Sequence, residues 1–318
     1  MSDAVSVVVV TFHSERFIAG CLESLDKQTV LPREIVVVDN GSRDETCSIV
    51  RNRFPKIHLI EMKSNTGFCR ANNVGLKETT GKFSLFCNPD AELAPNYIEE
   101  MLKAFAERPR AGMVTGKILR FDRATLDSAG QHLTLGRKIQ DRGFGQKDEG
   151  QFSAAEQVDA VCGAVAFYRR QMIDEILVDG QLFDEDFFAF GEDMDVGWRA
   201  RRFGWEAWYV PATVAYHFRG GSQEKHTAWT NLVRMTGRPA ELKYHIVKNR
   251  WLMMLKNETA PDYILRFPFI FARDVALVWY LILTAPSAFF RLWSDPGCFV
   301  RAGIKRRMME QMLVGVRR

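Results

Sequence analysis

Short runs of β-branched and apolar residues alternate with longer amphipathic stretches through the first third of the chain. The runs occupy residues 5–10, 34–39, 57–61 and 82–87. Between them, residues 15–27, 44–53 and 67–78 carry apolar side chains at helical spacing over lengths that suit crossover helices. Parallel strands need such crossovers, so the pattern predicts an α/β fold with a mostly parallel sheet flanked by helices. Sheets of this type meet ligands beyond the carboxyl ends of their strands. Thr11, Asp39 and residues 88–90 are therefore expected around one crevice.

Farther on the pattern changes twice. Residues 111–150 break into short runs punctuated by glycine, which predicts further strands and a loop. Residues 158–168 read as one buried strand and residues 192–203 as a helix. A short strand at 206–210 is expected to end at Pro211, which cannot donate to a sheet ladder. Residues 219–237 are polar and turn-rich, the composition of a long loop. After residue 238 aromatic-rich helical segments follow, so the chain divides into a ligand-binding domain, 1–237, and a C-terminal helical module, 238–318. Within that module residues 275–290 form sixteen uncharged positions, interrupted by Pro286 and bounded by Asp274 and Arg291. The run is shorter than the roughly 20 residues that cross a bilayer core. It predicts either a buried helix or one lying in a membrane interface.

A length of 318 residues with 47% hydrophobic content supports a large core and excludes disorder as the main state. The net charge of +4 is uneven: from Arg291 onward seven basic residues face two acidic ones, a surplus of five. Together with the apolar run, that surplus makes an anionic membrane surface a candidate partner. Nucleic acid is not expected, because no basic segment is interleaved with aromatics on a recognition motif. The six cysteines stand singly, without zinc spacing, and read as reduced thiols. The first residues lead directly into a strand with no signal-peptide pattern. Location in the cytoplasm, at the cytoplasmic face of the inner membrane where the tail engages it, is the expectation.

Chemistry concentrates at the strand ends. The first strand runs into Thr11-Phe12-His13-Ser14-Glu15, where a dinucleotide-binding dehydrogenase would carry a glycine-rich turn, so NAD and FAD are excluded. The second ends in Asp39-Asn40-Gly41-Ser42, a carboxylate able to accept from a nucleobase N–H or a ribose hydroxyl. The third site is Asn88-Pro89-Asp90, where an aspartate past a buried strand suits a hard divalent cation on a diphosphate. Glu192, Asp193 and Asp195 open a helix among Phe187, Phe188, Phe190 and Trp198, and apolar walls favour a raised carboxyl pKa, as a general base requires. The helix dipole alone would also favour acids there. His217, before Arg219-Gly220-Gly221, is a candidate ligand.

In their order, these motifs and Asn65-Thr66-Gly67-Phe68-Cys69-Arg70 resemble glycosyltransferase family two, inverting enzymes with the glycosyltransferase A fold. The resemblance spans roughly residues 5–222. It implies that Thr11, His13, Glu15, Asp39, Asn65 and Arg70 line a nucleotide pocket, with Asn88 beside them. Asp90 would hold Mg²⁺ or Mn²⁺, His217 would assist, Asp193 would act as base and Glu192 would orient the acceptor. The family commonly has an acid where this chain has Asn88, which leaves one charge fewer for a cation. Asn88-Pro89-Asp90 and the segment 187–195 look most like bacterial rhamnosyltransferases of surface-polysaccharide assembly. That subtype implies dTDP-rhamnose as donor and a saccharide or lipid-linked saccharide as acceptor, with UDP-hexose or UDP-N-acetylhexosamine as alternative donors. Two rivals remain: a nucleotidyltransferase, which would want a glycine-rich basic loop after the first strand, and a nucleotide-binding membrane-surface scaffold without turnover. Oligomeric state is not legible.

Overall fold

The computed structural model describes residues 5–219, 237–294 and 296–316. Its first half winds β1 (Val5–Thr11), α1 (Ile18–Asp26), β2 (Glu34–Asp39), α2 (Thr46–Arg53), β3 (His58–Glu61), α3 (Phe68–Lys77) and β4 (Phe83–Cys87). β5 (Ala91–Leu93), α4 (Tyr97–Glu107), β6 (Ala111–Arg120), β7 (Leu126–Ser128), β8 (Gln131–Leu133), β9 (Ile139–Asp141), β10 (Glu156–Val158), β11 (Val165–Arg169) and α5 (Arg170–Ile176) follow. A 3-10 turn (Glu185–Phe187), α6 (Glu192–Arg202) and β12 (Glu206–His217) precede the C-terminal helices α7 (Ala240–Asn257), α8 (Ala260–Thr284), α9 (Pro286–Ser294) and α10 (Gly297–Val316).

One ten-stranded sheet runs β10-β12-β6-β11-β4-β1-β2-β3, with β5 on β12 and β7 on β6. β1 to β4 are parallel neighbours, and β11 inserts antiparallel between β4 and β6. In β1 the alternate residues Val8 and Val10 enter one apolar layer while Val5, Val7 and Val9 enter the other. Both faces are thus covered, which is why five of the seven strand residues are valine and the run at residues 7–10 does not alternate with polar residues. Leu252, Met253 and Met254 of α7, Ile270 of α8 and Ala302 of α10 join the layer that holds Val8 and Val10. The C-terminal helices therefore wall the sheet.

Three expectations are corrected. The strand anticipated over 158–168 is two strands, β10 and β11, separated by a segment that carries Gly163. Pro211 does not end its strand: β12 continues to His217 through a register irregularity against β6 between Tyr209 and Val214, where a bulge tolerates the missing N–H. The run 275–290 is not one helix, since α8 already begins at Ala260 and breaks from α9 at Ala285, and it is buried only along Leu277, Leu281, Ala285 and Ala288. The charges expected to bound it lie inside the helices, Asp274 in α8 and Arg291 in α9, and Asp274 accepts from Arg250 Nε at 2.8 Å and Trp251 Nε1 at 3.2 Å. Of the loop anticipated at 219–237, residues 220–236 lie outside the described residues.

Candidate active site

The carboxyl ends of β1 and β2 lie in register at Thr11 and Asp39. Thr11 Oγ1 donates to Asp39 Oδ1 at 2.9 Å, and the Gly41 and Ser42 N–H groups donate to Asp39 Oδ2 at 3.2 and 2.8 Å. A carboxylate offers about four acceptor sites, so one remains for an incoming N–H or hydroxyl. The His13 N–H meets Ser42 Oγ at 2.8 Å, and Glu15 Oε2 accepts from the Glu45 N–H at 2.9 Å. Both residues therefore tie the β1–α1 loop to the β2–α2 loop. Asn65 Oδ1 accepts from Asn40 Nδ2 at 3.1 Å and from the Gly67 N–H at 2.9 Å. Gly67 has φ 91°, and a Cβ there would come within 2.6 Å of the Phe188 ring, so the turn requires glycine. Arg70 stands exposed on the first turn of α3.

Past β4, Asp90 meets His217 from the end of β12. His217 Nε2 is 3.3 Å from Asp90 Oδ1 and 3.4 Å from Asn88 Nδ2. Its Nδ1 is 2.8 Å from Asp127 Oδ2, a fully buried carboxylate on β7. Burial pulls the imidazole pKa down, but bonds and charge from Asp127 and Asp90 outweigh it and raise the pKa to about 9. Among the described residues no three His, Cys, Asp or Glu side chains gather as a metal cage. Asp90 nevertheless fits Mg²⁺ or Mn²⁺, since hard cations at diphosphates take few protein ligands and complete their shell with water and phosphate oxygens, and His217 can join it only by giving up its Nε2 proton to the incoming cation.

α6 opens with Glu192 and Asp193, both buried. The approach is strained: Phe188 and Phe190 have φ 65° and 74°, and Gly191, at φ 84°, caps the helix. Asn249 of α7 clamps this bend, its Nδ2 lying 2.7 to 3.0 Å from the carbonyls of Phe187, Ala189 and Phe190. Asp193 Oδ2 accepts from Gln131 Nε2 at 2.8 Å and the Gly163 N–H at 3.0 Å, while Oδ1 accepts from the Met194 N–H at 2.8 Å. Glu192 Oε2 is buried with no hydrogen-bond partner among the described residues. Burial and then the charge of Asp193 push Glu192 up to about 8, and burial raises Asp193 against the bonds from Gly163 and Gln131. The three N–H donors place the negative charge on Asp193 and leave Glu192 protonated at neutral pH.

Asp195, the third acid of the cluster, belongs to the scaffold. It faces Lys256 Nζ at 2.8 Å and Asn257 Nδ2 at 2.7 Å. Lys256 also bonds Asp184 at 2.6 Å, and Asp184 meets Lys305 of α10 at 2.5 Å. Gln131, Gly163, Asp127 and Asn249, which touch the predicted site residues, carry no local sequence mark. A buried aspartate in the small-residue run Asp127-Ser128-Ala129-Gly130 is the nearest thing to a signal.

Comparisons with known proteins give the family and the fold. The sequence model of Glycosyl transferase family 2 matches residues 6–177. An N-acetylglucosaminyl-diphospho-decaprenol L-rhamnosyltransferase of Mycobacterium tuberculosis is 30% identical over 257 residues, covering 72% of this chain and 80% of the relative. Among solved structures, S. aureus TarS 1-349 superposes with TM-score 0.53 at 18% identity, covering 94% of this chain and 78% of that one. A mannosyltransferase from Pyrobaculum calidifontis, in complex with GDP-Man and Mn²⁺, gives TM-score 0.54 at 18% identity over 98% of this chain and 85% of its own. A mostly parallel sheet, an aspartate–histidine pair past β4 and two buried carboxylates at the start of α6 thus occur in a chain that belongs to glycosyl transferase family 2.

Proposed function

We propose that this glycosyltransferase moves rhamnose from dTDP-rhamnose onto a hydroxyl of a lipid-linked saccharide during cell-surface polysaccharide assembly, with inversion at the anomeric carbon. The observation that carries the donor and acceptor is the similarity to the mycobacterial rhamnosyltransferase over most of both chains. Thr11, Asp39 and Asn65 frame the nucleotide, and exposed Arg70 offers charge to its phosphates. Asp193 takes the proton from the acceptor hydroxyl as that oxygen attacks. Protonated Glu192 donates to the acceptor and orients it. Asp90 and His217 would hold Mg²⁺ or Mn²⁺, which supplies charge neutralisation to the departing diphosphate. Attack opposite the leaving group needs no nucleophilic carboxylate on the enzyme.

The same reading places the acceptor's lipid at a membrane. Phe271, Trp279 and Leu283 of α8 and Phe290 and Trp293 of α9 are 56 to 74% exposed. Among the described residues one helix, α8, is long and apolar enough to cross a bilayer by length and composition, and 17% of its apolar window is buried. An anionic membrane interface is the occupant proposed for this face, because tryptophans favour that depth and the chain from Arg291 onward keeps a basic surplus even with Lys305 buried against Asp184.

The deciding experiment is a donor screen by mass spectrometry, with dTDP-rhamnose, UDP-hexoses and UDP-N-acetylhexosamines against lipid-linked saccharides. Released nucleoside diphosphate is the readout. Turnover with a UDP donor and none with dTDP-rhamnose would overturn the donor assignment, and binding without turnover would favour a scaffold. Asp193→Asn should lower transfer about 10²- to 10⁴-fold while donor binding stays within a fewfold.

A further inference from the structure

We propose that Gln131 is the positioning residue for the base, and that it is locked by an unbroken polar chain reaching the cation side of the site. The proposal rests on Asp193 being the base. Gln131 is 4% exposed and uses Nε2 twice, toward Asp193 Oδ2 at 2.8 Å and Asp141 Oδ1 at 3.2 Å. Arg219 NH2 donates to Asp141 Oδ2 at 3.2 Å, and Arg219 NH1 donates to Asp127 Oδ1 at 2.8 Å. Asp127 Oδ2 then meets His217 Nδ1 at 2.8 Å, and His217 Nε2 faces Asp90 at 3.3 Å. Base and cation ligand are thus joined through four intervening side chains and the imidazole.

The chemistry of each link fixes its direction. An amide NH₂ has two hydrogens, and here each has one carboxylate to serve. The flipped amide would set its carbonyl against two carboxylates, so the orientation is decided by charge. The guanidinium fork of Arg219 spans two carboxylates in the same way, which an amine cannot do with equal geometry. The backbone of Gln131 is also held: its N–H donates to the Ala160 carbonyl at 2.9 Å, and its carbonyl accepts from the Asp159 N–H at 2.9 Å. That segment leads to Gly163, the second donor to Asp193 Oδ2. Both donors to Oδ2 of the base therefore come from one braced unit. Without Gln131 the carboxylate loses a fixed partner and can turn from the line of attack, and a misplacement of about 1 Å in such geometry costs about 10²-fold.

The test compares Gln131→Ala, Gln131→Glu and Arg219→Lys by steady-state kinetics across pH, with nucleoside-diphosphate binding and thermal melts as controls for fold. The groups facing Asp193 are Glu192 and Asp195 on its own helix, Asp141 on β9, Tyr168 on β11 and Cys162 beside Gly163. Gln131→Ala should lower kcat about 10- to 100-fold with donor KM within twofold. The acidic limb of the kcat profile should move to higher pH, because the carboxylate loses a donor. Gln131→Glu should move that limb farther, and Arg219→Lys should give the same signature more weakly. A folded Gln131→Ala enzyme with kcat within twofold and an unmoved limb overturns the proposal. So does a loss confined to donor KM, which would make Gln131 a donor-site support. Wild-type-like transfer by Asp193→Asn would instead overturn the base assignment, so the two failures are distinguishable.

Discussion

Lys256→Met should destabilise the protein by about 3 kcal/mol, the lower end of the cost of breaking a buried ion pair. The ammonium lies 2.6 Å from Asp184 and 2.8 Å from Asp195, and all three side chains are at most 4% exposed. Each carboxylate keeps one cationic neighbour, Asp184 Lys305 at 2.5 Å and Asp195 Arg199 at 3.6 Å, so the loss stays below that of an isolated buried charge. At about 2–4 °C per kcal/mol for a chain approaching this size, the melting temperature should fall about 6–12 °C. Burial raises the Asp184 pKa, but Lys256 and Lys305 outweigh it and hold the carboxyl below its usual range. A depressed carboxyl contributes stability above its unfolded pKa of about 3.9 and loses it as pH falls through the folded value. In the variant the Asp184 carboxyl, with one cation fewer, takes up its proton at higher pH than in the wild type, which relieves it. The deficit against wild type, measured by urea melts followed through tryptophan fluorescence, should therefore shrink between pH 7 and pH 4. A deficit under about 1 kcal/mol, or one equal at both pH values, would refute the assignment of these charges.

Asp90→Ala should weaken nucleoside-diphosphate binding in Mg²⁺ or Mn²⁺ without changing it in chelator, as titration calorimetry would read; equal binding in both variants and both conditions leaves Asp90 a turn residue. Gly163→Ala should fold normally, because its Cβ would stand an ordinary 3.5 Å from Asp193 Oδ2 and 3.6 Å from Glu192 Oε1. The methyl fills the space before both carboxylates, so transfer should drop at least tenfold while nucleotide binding persists; transfer within twofold of wild type would mean the acceptor hydroxyl approaches by another route. The protein should float with anionic vesicles more than with neutral ones, and less as salt screens the attraction. Equal flotation on both would remove the basic tail from the interaction, and concentration-dependent dimerisation without flotation would assign the apolar face to a second copy.

The elements that sequence made legible share a physical trait: their specification is local. Strands β1 to β4 announce themselves by β-branched runs with both faces buried, and their crossover helices by apolar spacing, so the structure departs from expectation there only at the ends. Thr11, Asp39 and Asp90 follow from the rule that parallel strands aim their carboxyl ends at one crevice. Tertiary pairing hides the rest. Pro211 looked like a terminus because nothing nearby tells that β6 resumes pairing after a bulge. Asp274 looked like a boundary because its partners, Arg250 and Trp251, sit on another helix. Gln131, Asp141 and Arg219 come from separate elements, and no period links them until the chain has folded.

The lysines behind α6 also limit how this enzyme can be recombined. A chimera joined near residue 237, with the nucleotide half of this chain and the terminal helices of a relative, would keep Asp184 and Asp195 but discard Lys256 and Lys305. Two buried carboxylates would then face foreign side chains behind α6. Swapping donor halves among such enzymes is viable only where the incoming helices carry cations at those two positions, or where both aspartates are exchanged along with them.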